Sequence, residues 1–222
     1  MEALLTLLIV TGGHDFEREP FAAMFDSFDG MTWREAQHPS ANDSYTPDAA
    51  EGYDVLVLYD LNQEITPEQQ AALLALLQRG KGLVVLHHAL ADYQAWEEWR
   101  QVVCGRFYLS PVEREGRTIA ASTWRHDVEI PVRVVDPKHP VTHGLADFTI
   151  HDEVYGGYEV LPRAYPLLTT DHPESSPTLA WASVWGGSRV VSIQLGHDHF
   201  AYDDPNYRRL VSQAIRWVAE KP

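Results

Sequence analysis

The residues best able to do chemistry in this chain are histidines. Eleven occur in 222 residues. The informative ones directly follow apolar runs: His14 after residues 4–10, His87 and His88 after 83–86, and His197 and His199 after 189–195. Imidazole moves protons near neutral pH and is the commonest metal ligand, so two readings stand side by side. In one, His88 and His197 act as acid and base, helped by a carboxylate for which Glu153 is the candidate. In the other, His14, His88 and His197 hold a divalent metal such as zinc, which takes three imidazoles and a water and acidifies that water. A tight metal motif such as HExxH is missing. His197 and His199 stand two apart and would share a side on an extended segment.

Residues 150–158 form a second cluster: His151, Asp152, Glu153, Tyr155 and Tyr158 within nine positions. Tyrosine rings and carboxylates together suit sugar hydroxyls; a solvated acidic loop would read the same way. The expected substrate contacts are His14, Asp15, His87, Asp152, Tyr155 and His199. Several other chemistries are excluded. The Thr11-Gly12-Gly13-His14 turn lacks the third glycine of a dinucleotide site and the Lys-Ser/Thr of a phosphate loop. No GxSxG serine elbow occurs. Cys104 follows a helical stretch rather than a strand, and reads as a small buried hydrophobe.

The histidines need a frame that gathers them. Residues 4–10, 55–60 and 83–86 are continuous apolar runs closed by turn residues, the pattern of buried parallel strands. A helix is predicted over 17–28 from Phe21, Met24, Phe25 and Phe28. Another spans 68–79, opened by Thr66-Pro67-Glu68-Gln69 as cap, first turn and capping box, and closed at Gly80. A weaker strand is expected at 32–36 and a short helix at 96–103. Residues 128–135 alternate as an antiparallel or edge strand, 137–144 form a loop, and 165–170, 178–184 and 189–195 are strands, with a tight turn over 185–188. An amphipathic helix closes the chain over 205–219. Alternating strands and helices imply an α/β fold with a mostly parallel sheet and helices on both faces. Ligands then collect at the carboxyl ends of the strands, where the histidines fall. No linker or repeat divides residues 1–222, which read as one domain.

Composition narrows the partners. Seventeen basic against 32 acidic residues leave a net charge of −15. That disfavours nucleic acid and anionic membranes, because phosphate binding needs clustered Lys and Arg. The apolar start is too short to span a bilayer and lacks the basic start of a leader, so a cytoplasmic protein is expected. A single cysteine allows no internal disulfide. The aromatic residues suggest a homo-oligomer interface.

Taken together, the motifs resemble one family. His87-His88-Ala89-Leu90, Trp96, Cys104-Gly105-Arg106-Phe107, the run from His139 to Phe148, Asp152-Glu153-Val154-Tyr155 and Leu195-Gly196-His197-Asp198 resemble, in order and over nearly the whole chain, the blocks of ThuA-like proteins. The resemblance implies a flavodoxin-like, class I glutamine amidotransferase-like three-layer sandwich. It also implies work on sugars: disaccharides or their 3-keto forms. In amidotransferases of this fold a cysteine occupies the elbow after a central strand; here that position reads as histidine. Imidazole cannot form the thioester-type intermediate of glutamine hydrolysis, so amidotransferase activity is rejected. A sugar-modifying enzyme and a non-catalytic sugar-binding protein on the same scaffold both remain open.

Overall fold

The computed structural model describes residues 4–220. The span 1–222 expected for the domain exceeds this by residues 1–3 and 221–222, which lie outside the described residues. The chain runs β1 (Leu5–Gly12), α1 (Arg18–Asp26), β2 (Met31–Gln37), a 3-10 turn (Ala41–Tyr45), the short α2 (Pro47–Ala50), β3 (Val55–Asp60), α3 (Pro67–Gln78) and β4 (Gly82–Leu86). A second 3-10 turn (His87–Ala91) leads to α4 (Glu97–Val103), then β5 (Gly105–Arg106), β6 (Val112–Arg114), β7 (Arg117–Ile119), β8 (Thr123–Val134) and β9 (Phe148–Gly156). The chain ends with β10 (Glu159–Val160), β11 (Tyr165–Thr169), β12 (Thr178–Trp185), β13 (Ser188–Ile193), α5 (His199–Asp203) and α6 (Pro205–Ala219).

Nine strands form one mixed sheet in the order β2-β1-β3-β4-β13-β12-β11-β8-β9. The first five run parallel; the remaining four continue antiparallel. The centre is therefore the predicted parallel α/β sheet, extended by a meander. Alternation along each central strand feeds two separate cores. Leu7, Ile9, Val55, Val57, Val84 and Leu86 pack beneath α1 and α6. Leu8, Val10, Leu56, Leu58, Leu83 and Val85 pack beneath α3 and α4. Strands covered on both faces have no polar alternation, which is why they read as unbroken apolar runs.

The predicted cap of α3 is present: the Thr66 side chain accepts from the Gln69 amide at 3.3 Å and Gln69 Oε1 accepts from the Thr66 amide at 3.0 Å. The α6 stripe Tyr207, Leu210, Val211, Ala214, Ile215 and Val218 is buried as its period requires. β2 read as weak because it is an edge strand with half its side chains in solvent.

Two readings need correction. The predicted strand at 128–135 is the second half of a longer strand that begins at Thr123, interrupted by a bulge between Arg125 and Val128. Residues 150–158 are not a solvated loop. Most belong to β9, where Asp152 and Glu153 are 2% and 5% exposed. A strand carrying two adjacent acids inside the fold breaks the hydrophobic pattern by which strands are recognised.

Candidate functional site

The carboxyl ends of β1, β4 and β13 meet one face of β9, and their histidines meet there with it. His87 directly follows β4 and stands in a left-handed conformation, φ +50°. A non-glycine residue held there is strained, and such strain concentrates at functional positions. This is the elbow after the central strand, so its occupant is His87 and not His88. His87 Nδ1 donates to the Gln194 carbonyl at 2.7 Å, since a carbonyl can only accept. A proton therefore sits on Nδ1, which turns Nε2 toward the interior of the cluster. That atom lies 2.9 Å from Glu153 Oε2, 2.9 Å from the Tyr155 hydroxyl and 3.3 Å from His197 Nδ1. Tyr155 stacks on the His87 ring at 4.7 Å.

His197 is delivered by Gly196, whose φ of +118° favours glycine and where any Cβ would overlap the Tyr207 hydroxyl. Its Nδ1 lies 3.3 Å from Glu153 Oε2. Asp152 fixes this arrangement from behind. Its Oδ1 accepts from the Glu153 and His197 amides at 2.8 and 2.9 Å, and its Oδ2 from Gly196 at 2.7 Å. Asp152, expected to touch substrate, is instead buried and holds the two segments that carry Glu153 and His197. Burial opposes ionisation of Glu153, but hydrogen bonds to His197 and His87, and their charge, hold its carboxyl far below the ordinary range. Burial likewise works against charge on His197, yet Glu153 outweighs it and raises that imidazole above its usual value.

A cavity of about 200 Å³ opens beside this cluster, its walls including His14, His88, Phe107, Leu109, Trp124, His126, Glu153 and Tyr155. His88 is 5% exposed and neither ring nitrogen has a side-chain hydrogen-bond partner. Burial first, then the neighbouring His87 and His14, push its pKa well below the usual imidazole range, so it is neutral. His14 stacks on His88 at 4.6 Å and meets His197 edge-on at 6.4 Å. Imidazoles from three distant segments thus share one rim.

The expected ligand set of His14, His88 and His197 is not the one whose donor atoms converge. Among the described residues, the His, Cys, Asp and Glu atoms that gather within 4.8 Å belong to His87, Glu153 and His197. His14 and His88 instead stack face to face. His199 does not share a side with His197. It begins α5 and binds Glu17 through its amide at 2.7 Å and its ring at 2.9 Å, because the segment is a loop and strand alternation lapses. Asp15 lines a separate open depression with Arg18 and His38. Cys104 is buried in the core, and burial raises its thiol pKa.

Two residues of the site escaped sequence reasoning. His126 Nδ1 lies 3.4 Å from Glu153 Oε1, and its ring 4.3 Å from His197. Trp124, 61% exposed, stands at the mouth 4.8 Å from His126. The only available signal was the Trp124-Arg125-His126-Asp127 run before the predicted strand. The bulge there, with Asp127 at φ +57°, re-aims the side chains as bulges do, and no spacing rule foretells it.

With this geometry in view, the comparisons with known proteins fall into place. The ThuA family profile, described as trehalose utilisation, matches residues 6–218. A ThuA-like protein from Parabacteroides merdae ATCC 43184 superposes with a TM-score of 0.79 at 17% identity, over 97% of this chain and 90% of that one. A ThuA-like protein from Bacteroides uniformis ATCC 8492 gives 0.70 at 18% identity, over 98% and 93%. A cytoplasmic protein from Salmonella typhimurium LT2 gives 0.67 at 9% identity, over 96% and 99%. At these identities the likeness establishes the fold alone. None of the curated proteins compared with the sequence matches it.

Proposed function

The chain belongs to the ThuA, or trehalose utilisation, family, and from that premise we propose that it is an enzyme acting on a disaccharide or keto-sugar in the cavity under Trp124. The observation that carries the reading is the pairing of an exposed indole at the mouth with Glu153, which lines the cavity and is held from behind by His87 and His197. A flat aromatic face packs against the C–H face of a pyranose, while carboxylate and imidazoles take its hydroxyls. A cavity of about 200 Å³ takes one hexose ring, which leaves the second ring of a disaccharide at the mouth, against Trp124 and Leu109. His88 is a neutral imidazole with no side-chain hydrogen-bond partner, and it lines the cavity beside the bound sugar, suited to accept a proton next to a carbonyl. His14 and His126 on the walls can return it. Glutamine hydrolysis is not proposed, because the elbow residue is His87. A single domain over residues 1–222 and a cytoplasmic location belong to the same proposal. The described residues contain no helix long and apolar enough to cross a membrane.

Titration calorimetry with trehalose and a 3-keto-disaccharide, on the wild type and Trp124→Ala, tests the reading. Binding should weaken at least about tenfold in the variant, in line with about 1.4 kcal/mol or more from one aromatic contact. Undiminished binding by Trp124→Ala, or no binding of either sugar by the wild type, would overturn it. Binding without any product by mass spectrometry would instead mark a non-catalytic sugar-binding protein.

A further inference from the structure

We propose that His87 Nε2, the Glu153 carboxylate and His197 Nδ1 hold one divalent transition-metal ion of the zinc class beside the cavity, at the wall that Glu153 forms.

The first support is spacing. A tetrahedral ion with bonds of about 2.0–2.1 Å separates neighbouring ligand atoms by about 3.3–3.4 Å. The two imidazole nitrogens lie 3.3 Å apart, His197 Nδ1 lies 3.3 Å from Glu153 Oε2, and His87 Nε2 lies 2.9 Å from the same oxygen. The three atoms need to spread by only a few tenths of an ångström to accept an ion between them. The second support is the direction of the donors. Gln194 takes the His87 Nδ1 hydrogen, so Nε2 is the ring nitrogen turned toward Glu153 and His197, where an ion would replace the hydrogen bonds that now join the three groups.

The third support is the arrangement behind the ligands. A metal-binding histidine usually donates its other N–H to a carbonyl or carboxylate, which fixes its tautomer. His87 does this with Gln194. Asp152 then pins the backbone of both Glu153 and His197, so the donors are held in place before any ion arrives. Two imidazoles with one carboxylate suit zinc, cobalt or manganese better than magnesium or calcium. Glu153 lines the cavity, so an ion on its carboxylate is within reach of a sugar oxygen. The ion would polarise that oxygen while His88 and His14 stay unligated. The site lies in the cavity assigned above to a sugar, but its support does not depend on what sugar, if any, enters.

The test is elemental analysis of the full chain after incubation with zinc chloride and desalting, repeated with cobalt(II) while the visible spectrum is recorded. The wild type should retain about one zinc per chain and show visible cobalt bands. Glu153→Gln and His87→Gln should each weaken binding at least about a hundredfold, and His143→Ala, at an exposed histidine away from the cavity, should match the wild type. If His87→Gln does not fold, Glu153→Gln decides. A wild type that keeps neither metal, or a folded Glu153→Gln that binds zinc as tightly as the wild type, would overturn the proposal. The readout contains no sugar. A wild type that retains no metal after loading yet turns over sugar would therefore sink the ion alone, and a metal-loaded chain inert to every sugar would leave the ion standing and remove the sugar reading.

Discussion

His87 and His88 are neighbours in sequence with opposite circumstances. The left-handed turn at His87 aims its ring at Glu153 and His197, while His88 lines the cavity without a side-chain hydrogen-bond partner. Sequence reading could place both at a strand end but could not say which one filled the elbow, because that depends on a single backbone torsion. The difference is measurable. His88 is held neutral in the fold by burial and by its neighbours His87 and His14, whereas in the unfolded chain it takes up a proton near pH 6.5. Unfolding then binds a proton below that pH. Stability from this residue is full above about pH 6.5 and declines as the pH falls beneath it. Urea denaturation at about pH 7.5 and pH 5.5 should show a smaller acid loss in His88→Gln than in the wild type. An equal loss in both would mean that His88 is not held neutral.

At the scale of elements, α4 is tied to the short β10 strand by Arg100, which grips Glu159 with two hydrogen bonds of 2.6 and 2.7 Å. Tyr108 and Arg114 join the same carboxylate. Burial works against ionisation of Glu159, but its bonds to Arg100 and Tyr108 hold its pKa at about 2. Its folded value lies below the unfolded one, so the stabilisation is present above about pH 4.5 and is lost as the pH falls toward 2. Glu159→Gln should cost about 1–2 kcal/mol at neutral pH, because the carboxylate is only partly buried, and almost nothing near pH 2. A constant difference across that window would contradict the assignment. Gly196→Ala should cost more, about 2–4 kcal/mol, because it places a Cβ against Tyr207 and strains the turn that delivers His197. A variant as stable as the wild type by thermal melting would deny that crowding.

The same scale explains what could be read in advance. The parallel strands, α3 with its cap and the α6 stripe were legible because burial on both faces or on one stripe leaves a period in the sequence. β9 was not, because Asp152 and Glu153 occupy interior positions where the period demands apolar residues. Their hydrogen bonds to distant amides and imidazoles make that burial tolerable, and none of those partners is near in sequence.

Across the whole molecule, the two cores of the sheet bring segments more than a hundred residues apart to one edge, and no local pattern encodes that meeting. What sequence could offer was the rule that ligands gather at carboxyl ends of parallel strands. That rule named His14, His87, His88 and His197 and passed over Trp124 and His126, which arrive from the antiparallel extension. The expected homo-oligomer also belongs to this scale and is carried as a proposal. Tyr165 and Val184, 46% and 48% exposed, stand on the neighbouring strands β11 and β12. Light scattering should show a mass above the 25.1 kDa monomer; a monomer at every concentration would remove the idea.

The most direct measurement is a mass-spectrometric turnover assay of a disaccharide and 3-keto-disaccharide panel with the wild type and Glu153→Gln, both confirmed as folded. Conversion of at least one sugar by the wild type, reduced about a hundredfold or more in Glu153→Gln, is the expected result. Equal conversion by the two proteins would contradict a catalytic centre at His87, Glu153 and His197.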